Sequence, residues 1–148
     1  MSRELIAFEA RHLLGIEIQP GQRDEVMVGS IEGTAQWIEA QNYPSFTGLR
    51  GGEVIAAAGL VPSGSGVGTG WMFLPNCADR HDMLWVMRQS KRLLNTVQRD
   101  AKYLSVQITV RKGWKAAERF AGMLGFTATD VVVCPEGVKH MYTVYERF

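Results

Sequence analysis

The sequence predicts a mixed α/β (α+β) fold, with a largely antiparallel twisted sheet flanked by helices, for three reasons. Residues 103–110 (YLSVQITV) alternate apolar with polar side chains, which is the period of a strand. Residues 111–124 (RKGWKAAERFAGML) repeat apolar side chains at three- and four-residue steps, as one face of a helix does. Gly51 and Gly52 separate two apolar runs, which is a strong hairpin signal.

Size and composition predict a single domain over residues 1–148, because 148 residues suit one hydrophobic core. The formal net charge of +1 excludes a bulk electric field that would recruit nucleic acid or an anionic membrane. The N-terminus has no cationic segment followed by an apolar stretch, so we expect a cytoplasmic protein. Two cysteines, Cys77 and Cys134, are too few for a disulfide framework, and we expect reduced thiols.

The N-terminal third is the least determined part of the prediction. Residues 4–18 fit either an opening strand or a helix from Phe8 to Leu14, and Pro20 with Gly21 ends that segment. A short helix is predicted from Gly33 to Asn42, and Pro44 closes it because proline cannot continue a helix.

The middle of the chain predicts strands and turns. A strand from Phe46 to Arg50 and a strand from Val54 to Leu60 flank the Gly51-Gly52 turn. The glycine-rich stretch from Pro62 to Gly70 is predicted to be a second turn. It leads into an apolar strand from Trp71 to Leu74.

The second half predicts a long helix from Asp82 to Arg99, and Asp79 or Asp82 can cap its first turn. A strand from Leu104 to Val110 follows, with Leu104, Val106, Ile108 and Val110 expected on one face. After the short helix, Gly125 stands where a helix end needs a left-handed residue. The remaining strands are predicted at Phe126–Val133 and within residues 139–148.

The ending A-x-x-F-x-x-x-L-G-F, from Ala117 to Phe126, resembles the Gcn5-related N-acetyltransferase family. The order of elements over residues 33–148 resembles the fold of the same family. More faintly, the run from Trp71 through the basic helix is similar to an internal virion protein of T7-like bacteriophages, which has a divergent form of this fold.

The resemblance implies acetyl-CoA as the acyl donor and a small amine or a protein amine as the acceptor, with no metal ion. In that family the strand at residues 71–74 splays from the strand at 104–110, and the slot holds the thioester arm. Backbone amides at Met72, Phe73 and Leu74 would then bind the pantetheine. The acyl group passes directly to the amine, without a covalent enzyme intermediate.

The sequence departs from the family where the diphosphate of the cofactor binds. The family reads Q/R-x-x-G-x-G/A there, whereas residues 76–83 contain no glycine. Asp79 and Asp82 would repel a diphosphate, while Arg80 and His81 are candidate phosphate ligands. Arg80, His81 and Asp82 are therefore the candidate cofactor-binding residues of this turn, with a solvated helix start as the alternative.

Other candidate residues follow from the same resemblance. Trp114 stands at the family's Asn position and is either a stacking residue or a core residue. Thr109 faces either the cleft or solvent. Cys77 is either a nucleophile or proton donor near the thioester, or a small turn residue. The family has a tyrosine that acts as the general acid, and its position here is an alanine. Tyr142 or Tyr145 on the last strand could replace it, although packing also explains both.

Two functions follow. One is an acetyl-CoA-dependent N-acyltransferase with a degenerate diphosphate turn. The alternative is a catalytically inactive bacteriophage virion or assembly protein with the same fold, in the host cytoplasm or the virion, as a homodimer or with a virion partner. The basic residues Arg88, Lys91 and Arg92 favour a solvated helix face over a nucleic-acid patch, because the whole chain is nearly neutral. We expect no specific nucleic acid and no membrane as partners.

Overall fold

The computed structural model describes residues 2–18, 31–134 and 140–148. In these ranges it has seven strands in one sheet, three α-helices and a 3₁₀ helix at Ala10–Leu13. The strands are β1 (Arg3–Ala7), β2 (Ser45–Arg50), β3 (Glu53–Gly64), β4 (Val67–Phe73), β5 (Ser105–Arg111), β6 (Thr127–Val133) and β7 (Tyr142–Arg147). The helices are α1 (Ile31–Gln41), α2 (Arg80–Asp100) and α3 (Lys115–Met123). The strand order is β1-β2-β3-β4-β5-β7-β6, which confirms the predicted mixed α/β class.

The chain divides into two compact units that interleave along the sequence. Unit 1 contains Met1–Val61 and Trp71–Val86, and unit 2 contains Pro62–Gly70 and Met87–Phe148. β3, β4 and α2 each pass from one unit into the other. A single domain over residues 1–148 stays a prediction.

Unit 1 begins with an antiparallel meander. β1 pairs with β2 from Arg3↔Arg50 to Ala7↔Phe46, and β2 pairs with β3 around the Gly51-Gly52 turn, as predicted. Residues 4–18 contain both alternatives that the sequence allowed, since β1 is followed by the 3₁₀ helix. The predicted ending of that segment at Pro20 and Gly21 lies outside the described residues.

The core of unit 1 is an aromatic and aliphatic cluster. Phe8 packs edge-on against Trp71 with ring centroids 5.1 Å apart, and Trp71 lies 5.8 Å from the ring of Phe73. Trp71 is partly buried, and the buried members besides Phe8 and Phe73 are Leu13, Ile18, Ala35, Ile38 and Ala57. Edge-on aromatic pairs are favoured by the ring quadrupoles in addition to the burial of apolar area. β4 therefore contributes its apolar side chains to the core of unit 1.

Unit 2 holds the parallel part of the sheet. β4 and β5 pair in parallel through three residues of each strand, from Val67↔Ser105 to Thr69↔Gln107. β5 then pairs with β7 from Val106↔Arg147 to Arg111↔Tyr142, and β7 pairs with β6, both antiparallel. Each of β4 and β5 has seven residues, so the three pairs of the parallel ladder cover less than half of either strand.

Two predictions in this unit are wrong. Residues 62–70 are not a long turn, since β3 runs to Gly64 and β4 begins at Val67, leaving Ser65 and Gly66 as a two-residue turn. Both turn residues have positive φ, 54° and 75°, as tight hairpins of this kind require. Leu104 is not an inward-facing strand residue: it precedes β5, is 75% exposed and packs against the Gly66 turn.

The end of α3 confirms the prediction for Gly125. Its φ is +93°, its N–H donates to the carbonyl of Gly122, and the N–H of Phe126 donates to the carbonyl of Ala121. These two bonds define a Schellman motif, and Ala121 and Phe126, the positions where this motif usually has an apolar contact, are both buried. The motif sets the direction in which the chain enters β6.

Candidate functional site

The first turn of α2 is closed by two aspartates that cap each other. Asp79 is the residue before the helix, and Asp82 is its third residue. The N–H of Asp82 donates to Oδ1 of Asp79 at 2.8 Å, and the N–H of Asp79 donates to Oδ2 of Asp82 at 3.0 Å. This is the reciprocal pattern of a capping box, with Asp in the place of Glu or Gln. Both aspartates cap the helix, where the sequence left the choice between them open.

The charge of Asp82 is compensated inside unit 1. Its side chain is fully buried, and its Oδ1 accepts from Nε of Arg3 at 2.9 Å. Its Oδ2 accepts from Nη1 of Arg50, which also lies 3.3 Å from Oδ2 of Asp79. A buried carboxylate is costly unless it is paired and hydrogen-bonded, and here both conditions are met. Arg3 of β1 and Arg50 of β2 therefore bind the first turn of α2 to these two strands.

The Asp79 carboxylate is held in its charged form. The N–H of Asp82 bonds to it and lowers its pKa below the ordinary 3.8, and Arg50 and the N–H of His81 act in the same direction. Hydrogen bonds to the charged form of an acid stabilise that form. The amide donors of this turn thus face carboxylates of the chain itself.

The remaining candidates of this turn are outside that network. Arg80 and His81 are exposed, and among the described residues their side chains make no hydrogen bond. Their role as phosphate ligands stays a prediction, as does that of Asp82. Backbone N–H groups at a helix start can bind an anion. Here the N–H groups of Asp79 and Asp82 already donate to the carboxylates of these two residues.

Cys77 lies in the same loop. Its Sγ donates to the carbonyl of Val54 at 3.5 Å. Burial raises the pKa of the thiol above the ordinary 9.0, and Glu53 raises it further. A thiol that stays protonated at neutral pH is a weak nucleophile, so of the two chemical roles considered, the structure suits a proton donor better.

The three candidate residues on the β4 side differ in burial. Phe73 and Leu74 are each 8% exposed, whereas Met72 is half-buried. The Phe73 ring belongs to the aromatic core of unit 1. A contact of these residues with pantetheine through their backbone amides stays a prediction.

The candidates of unit 2 lie on two neighbouring strands and a helix start. Thr109 is exposed on β5 opposite Val144, and two positions further along the same ladder Tyr142 pairs with Arg111. Tyr142 is 2% exposed, so its ring is packed in the core. Trp114 is half-buried and precedes α3, as a capping residue without a side-chain bond. Their catalytic or cofactor roles stay predictions.

Tyr145, the second phenol considered, is half-buried on β7 opposite Ile108. Burial raises its pKa above the ordinary 10.0, and the charge of Glu118 adds to the shift. The phenol is therefore protonated at neutral pH, as a proton donor must be.

Unit 1 contains a buried histidine, His12. His12 is 7% exposed, and its Nδ1 accepts from the N–H of Glu9 at 3.1 Å and lies 2.7 Å from Oγ1 of the fully buried Thr47. Its Nε2 lies 3.3 Å from a carboxylate oxygen of Glu9. Burial lowers the pKa of the imidazole below 6.5, and Arg11 lowers it further, while Glu9 and Glu39 oppose the shift. The imidazole is therefore neutral at pH 7 and protonated on Nε2.

Two negative findings concern the described residues only. No group of three or more His, Cys, Asp or Glu side chains in the described ranges could hold a metal ion. No described helix is both long enough and apolar enough to cross a membrane.

Comparison with known proteins identifies the fold. No family model matches the sequence, and no curated protein matches it either. Among solved structures, ribosomal-protein-alanine N-acetyltransferase from Brucella melitensis is similar with a TM-score of 0.73 and 13% identity over 100% of this chain and 99% of that one. An N-acetyltransferase from Staphylococcus aureus Mu50 has a TM-score of 0.70 and 10% identity, covering 99% and 98%.

A third structure was solved with a cofactor. It is yncA of Salmonella typhimurium, assigned as an acetyltransferase and solved with acetyl-CoA, with a TM-score of 0.67 and 13% identity over 99% of this chain and 93% of that one. At these identities the comparisons establish the fold alone. The chain therefore has the fold of the Gcn5-related N-acetyltransferases, as the order of its elements predicted.

Proposed function

We propose that this chain is a binding or assembly protein that keeps the N-acetyltransferase fold without its diphosphate site. The observation that carries the proposal is the first turn of α2. The amides that would receive a diphosphate bond instead to Asp79 and Asp82, and Arg3 and Arg50 are engaged with the same carboxylates. A diphosphate would have to displace two internal anions and face their negative charge. The residues present do not fit the cofactor that the fold implies.

The burial of the Tyr142 ring, one of the candidate catalytic residues, supports this reading. The faint sequence similarity to an internal virion protein suggests a bacteriophage particle as the setting of such a binding role.

A second candidate function is an acetyl-CoA-dependent N-acyltransferase that transfers the acyl group directly to a small amine or a protein amine. One observation favours it: the parallel ladder between β4 and β5 contains three residue pairs of two seven-residue strands. In the family that the sequence resembles, these strands part to admit the thioester arm.

Calorimetric titration with acetyl-CoA separates the two functions. The proposal predicts no binding heat at millimolar acetyl-CoA. Micromolar binding that the Arg80→Ala variant weakens would overturn it and support the transferase, with Arg80 as a phosphate ligand. Micromolar binding that Arg80→Ala leaves unchanged would also overturn the proposal, and would place the cofactor away from the first turn of α2.

A further inference from the structure

Unit 2 carries an open groove between α2 and α3, with a volume of about 660 Å³. Its lining residues are Met87, Arg88, Lys91, Arg92 and Asn95 of α2, with Gly122 and Met123 of α3. Arg88, Lys91, Arg92 and Asn95 are spaced as one helix face, and they extend over about 10 Å of the helix axis. The groove thus presents three cations in one row.

These cations have no compensating charge among the described residues. Arg88 and Lys91 make no ion pair there, and Arg92 bonds only to the neutral amide of Gln89. The acidic side chains of the two helices are used elsewhere: Asp82 pairs with Arg3 and Arg50, Asp100 pairs with Arg99, and Glu118 bonds to the N–H of Gly113. The charge of the row is therefore directed to solvent.

A fourth cation lies at the end of the row. The guanidinium of Arg147 bonds to the side-chain oxygens of Asn95 and Gln98, which are neutral acceptors. Burial lowers the pKa of Arg147, but a guanidinium keeps its charge in proteins. Its positive charge adds to that of the row.

The other side of the groove is apolar and accessible. Met123 is 46% exposed, and Met87 is half-buried beside it. Gly122 leaves the backbone of α3 accessible at this point, because a Cβ placed there would meet no atom within 4 Å. Methionine side chains adapt to irregular apolar partners. The groove therefore combines a cationic row with a small apolar contact.

We propose that this groove docks an acidic protein segment that carries an apolar side chain. The proposal rests on the binding role proposed above and names the chemistry of the partner. Acidic side chains of the segment pair with Arg88, Lys91 and Arg92, and its apolar side chain packs on Met87 and Met123. Complementary charge sets the orientation and the association rate, and the apolar contact adds affinity.

A nucleic acid fits this groove less well. Non-specific nucleic-acid binding depends on many phosphate contacts and, for single strands, on aromatic platforms for the bases. The groove offers three cations in its lining and no aromatic side chain, and the whole chain carries a net charge of +1. The two methionines have no counterpart in a phosphate backbone.

The test uses the full chain and two fluorescent peptides, one of repeating Glu-Glu-Leu and one of repeating Glu-Glu-Ser. We expect the leucine peptide to bind more tightly, and binding to weaken as salt rises. Lys91→Glu should weaken binding of both peptides by about tenfold, the equivalent of about 1.4 kcal/mol, because one attraction becomes a repulsion. The matched charge reversal Arg99→Glu lies at an exposed site outside the groove. It should change binding by less than about twofold, because salt screens exposed charges that do not contact the peptide.

The apolar part of the proposal is tested by Met123→Ser. This variant should remove the advantage of the leucine peptide over the serine peptide while leaving the serine peptide unaffected, as a double-mutant cycle requires. Circular dichroism and thermal melting confirm that each variant is folded.

Three outcomes would overturn the proposal. The first is that Lys91→Glu and Arg99→Glu weaken peptide binding equally, and the second is that the parent chain binds the leucine peptide no more tightly than the serine peptide. The third is that an oligothymidine or adenosine 3′,5′-bisphosphate binds more tightly than the peptides and displaces them. Binding of acetyl-CoA with the peptide results as expected would overturn only the proposed function.

Discussion

The first turn of α2 and the middle of the same helix handle charge in opposite ways. At the first turn, Asp79 and Asp82 are matched by backbone amides, Arg3 and Arg50, so the ionic groups satisfy one another. In the middle, Arg88 and Lys91 have no acidic partner among the described residues. Internal compensation stabilises a fold but leaves little for a ligand, whereas an uncompensated row is available to a partner.

Removing the buried charge tests the compensated region and should have the largest effect. Asp82→Asn keeps the shape of the side chain but leaves Arg3 and Arg50 without their shared anion. We expect the free energy of unfolding to fall by about 3 kcal/mol, since breaking a buried pair leaves uncompensated charge. Urea denaturation measures the change.

The matched control is Asp100→Asn at the other end of α2, where an exposed aspartate pairs with Arg99. Exposed pairs contribute about 0–1 kcal/mol, so this variant should cost well under half as much. Equal costs for the two substitutions would show that the first turn is not the specially compensated region described above.

The free energy of unfolding should fall at acidic pH because of His12, a buried group that the fold keeps neutral. The folded-state pKa of His12 is lowered below 6.5, so as pH falls through 6.5 the unfolded chain takes up a proton first. Stability is therefore complete above pH 6.5 and declines below it, until the pH passes the folded-state pKa. Urea unfolding measured over this range should show the decline, and His12→Gln should flatten it.

Asp79 responds in a separate and more acidic window. Its folded-state pKa is lowered below 3.8, so its stabilising contribution is present above pH 3.8 and is lost as pH falls through the folded value. A decline near pH 6 that persists in His12→Gln would show that another group, and not the buried imidazole, controls the acid response.

The smallest expected effect concerns the uncompensated row itself. Arg88 and Arg92 are four residues apart on a helix, where like charges are destabilising by about 0.2–0.5 kcal/mol. Arg88→Glu replaces this repulsion with an attraction and should raise the free energy of unfolding by a similar amount. Arg99→Glu, which breaks an exposed pair with Asp100, should leave it unchanged or lower it. A loss of stability in Arg88→Glu would show that Arg88 is already compensated.

Local patterns predicted much of the fold. The Gly51-Gly52 hairpin, the long helix and the left-handed Gly125 all depend on signals within a few residues, and all three are present. The turn predicted over residues 62–70 failed because glycines at Gly64 and Gly66 suggested a loop where the strands continue on both sides. Strand pairing, which the sequence does not display, overrides the local preference there.

The candidate site was harder to predict because its contacts join distant residues. The sequence indicated Asp79 and Asp82 as caps. It did not indicate the arginine partners of Asp82, because Arg3 lies 79 residues and Arg50 lies 32 residues from it along the chain. Likewise, the basic face of α2 was visible, whereas Gly122 and Met123 complete the groove from another helix. Sheet register and helix packing decide these contacts, and neither can be deduced from a single sequence.

The most direct measurement follows the backbone amide signals of residues 79–82 by NMR while acetyl-CoA is added to the parent chain. We expect the amide signals of Asp79 and Asp82 to stay in place, because their donors remain bonded to the two carboxylates. Displacement of these signals that saturates with acetyl-CoA, with matching changes at Arg80 and His81, would instead show that a diphosphate replaces the internal caps and that the cofactor site is intact.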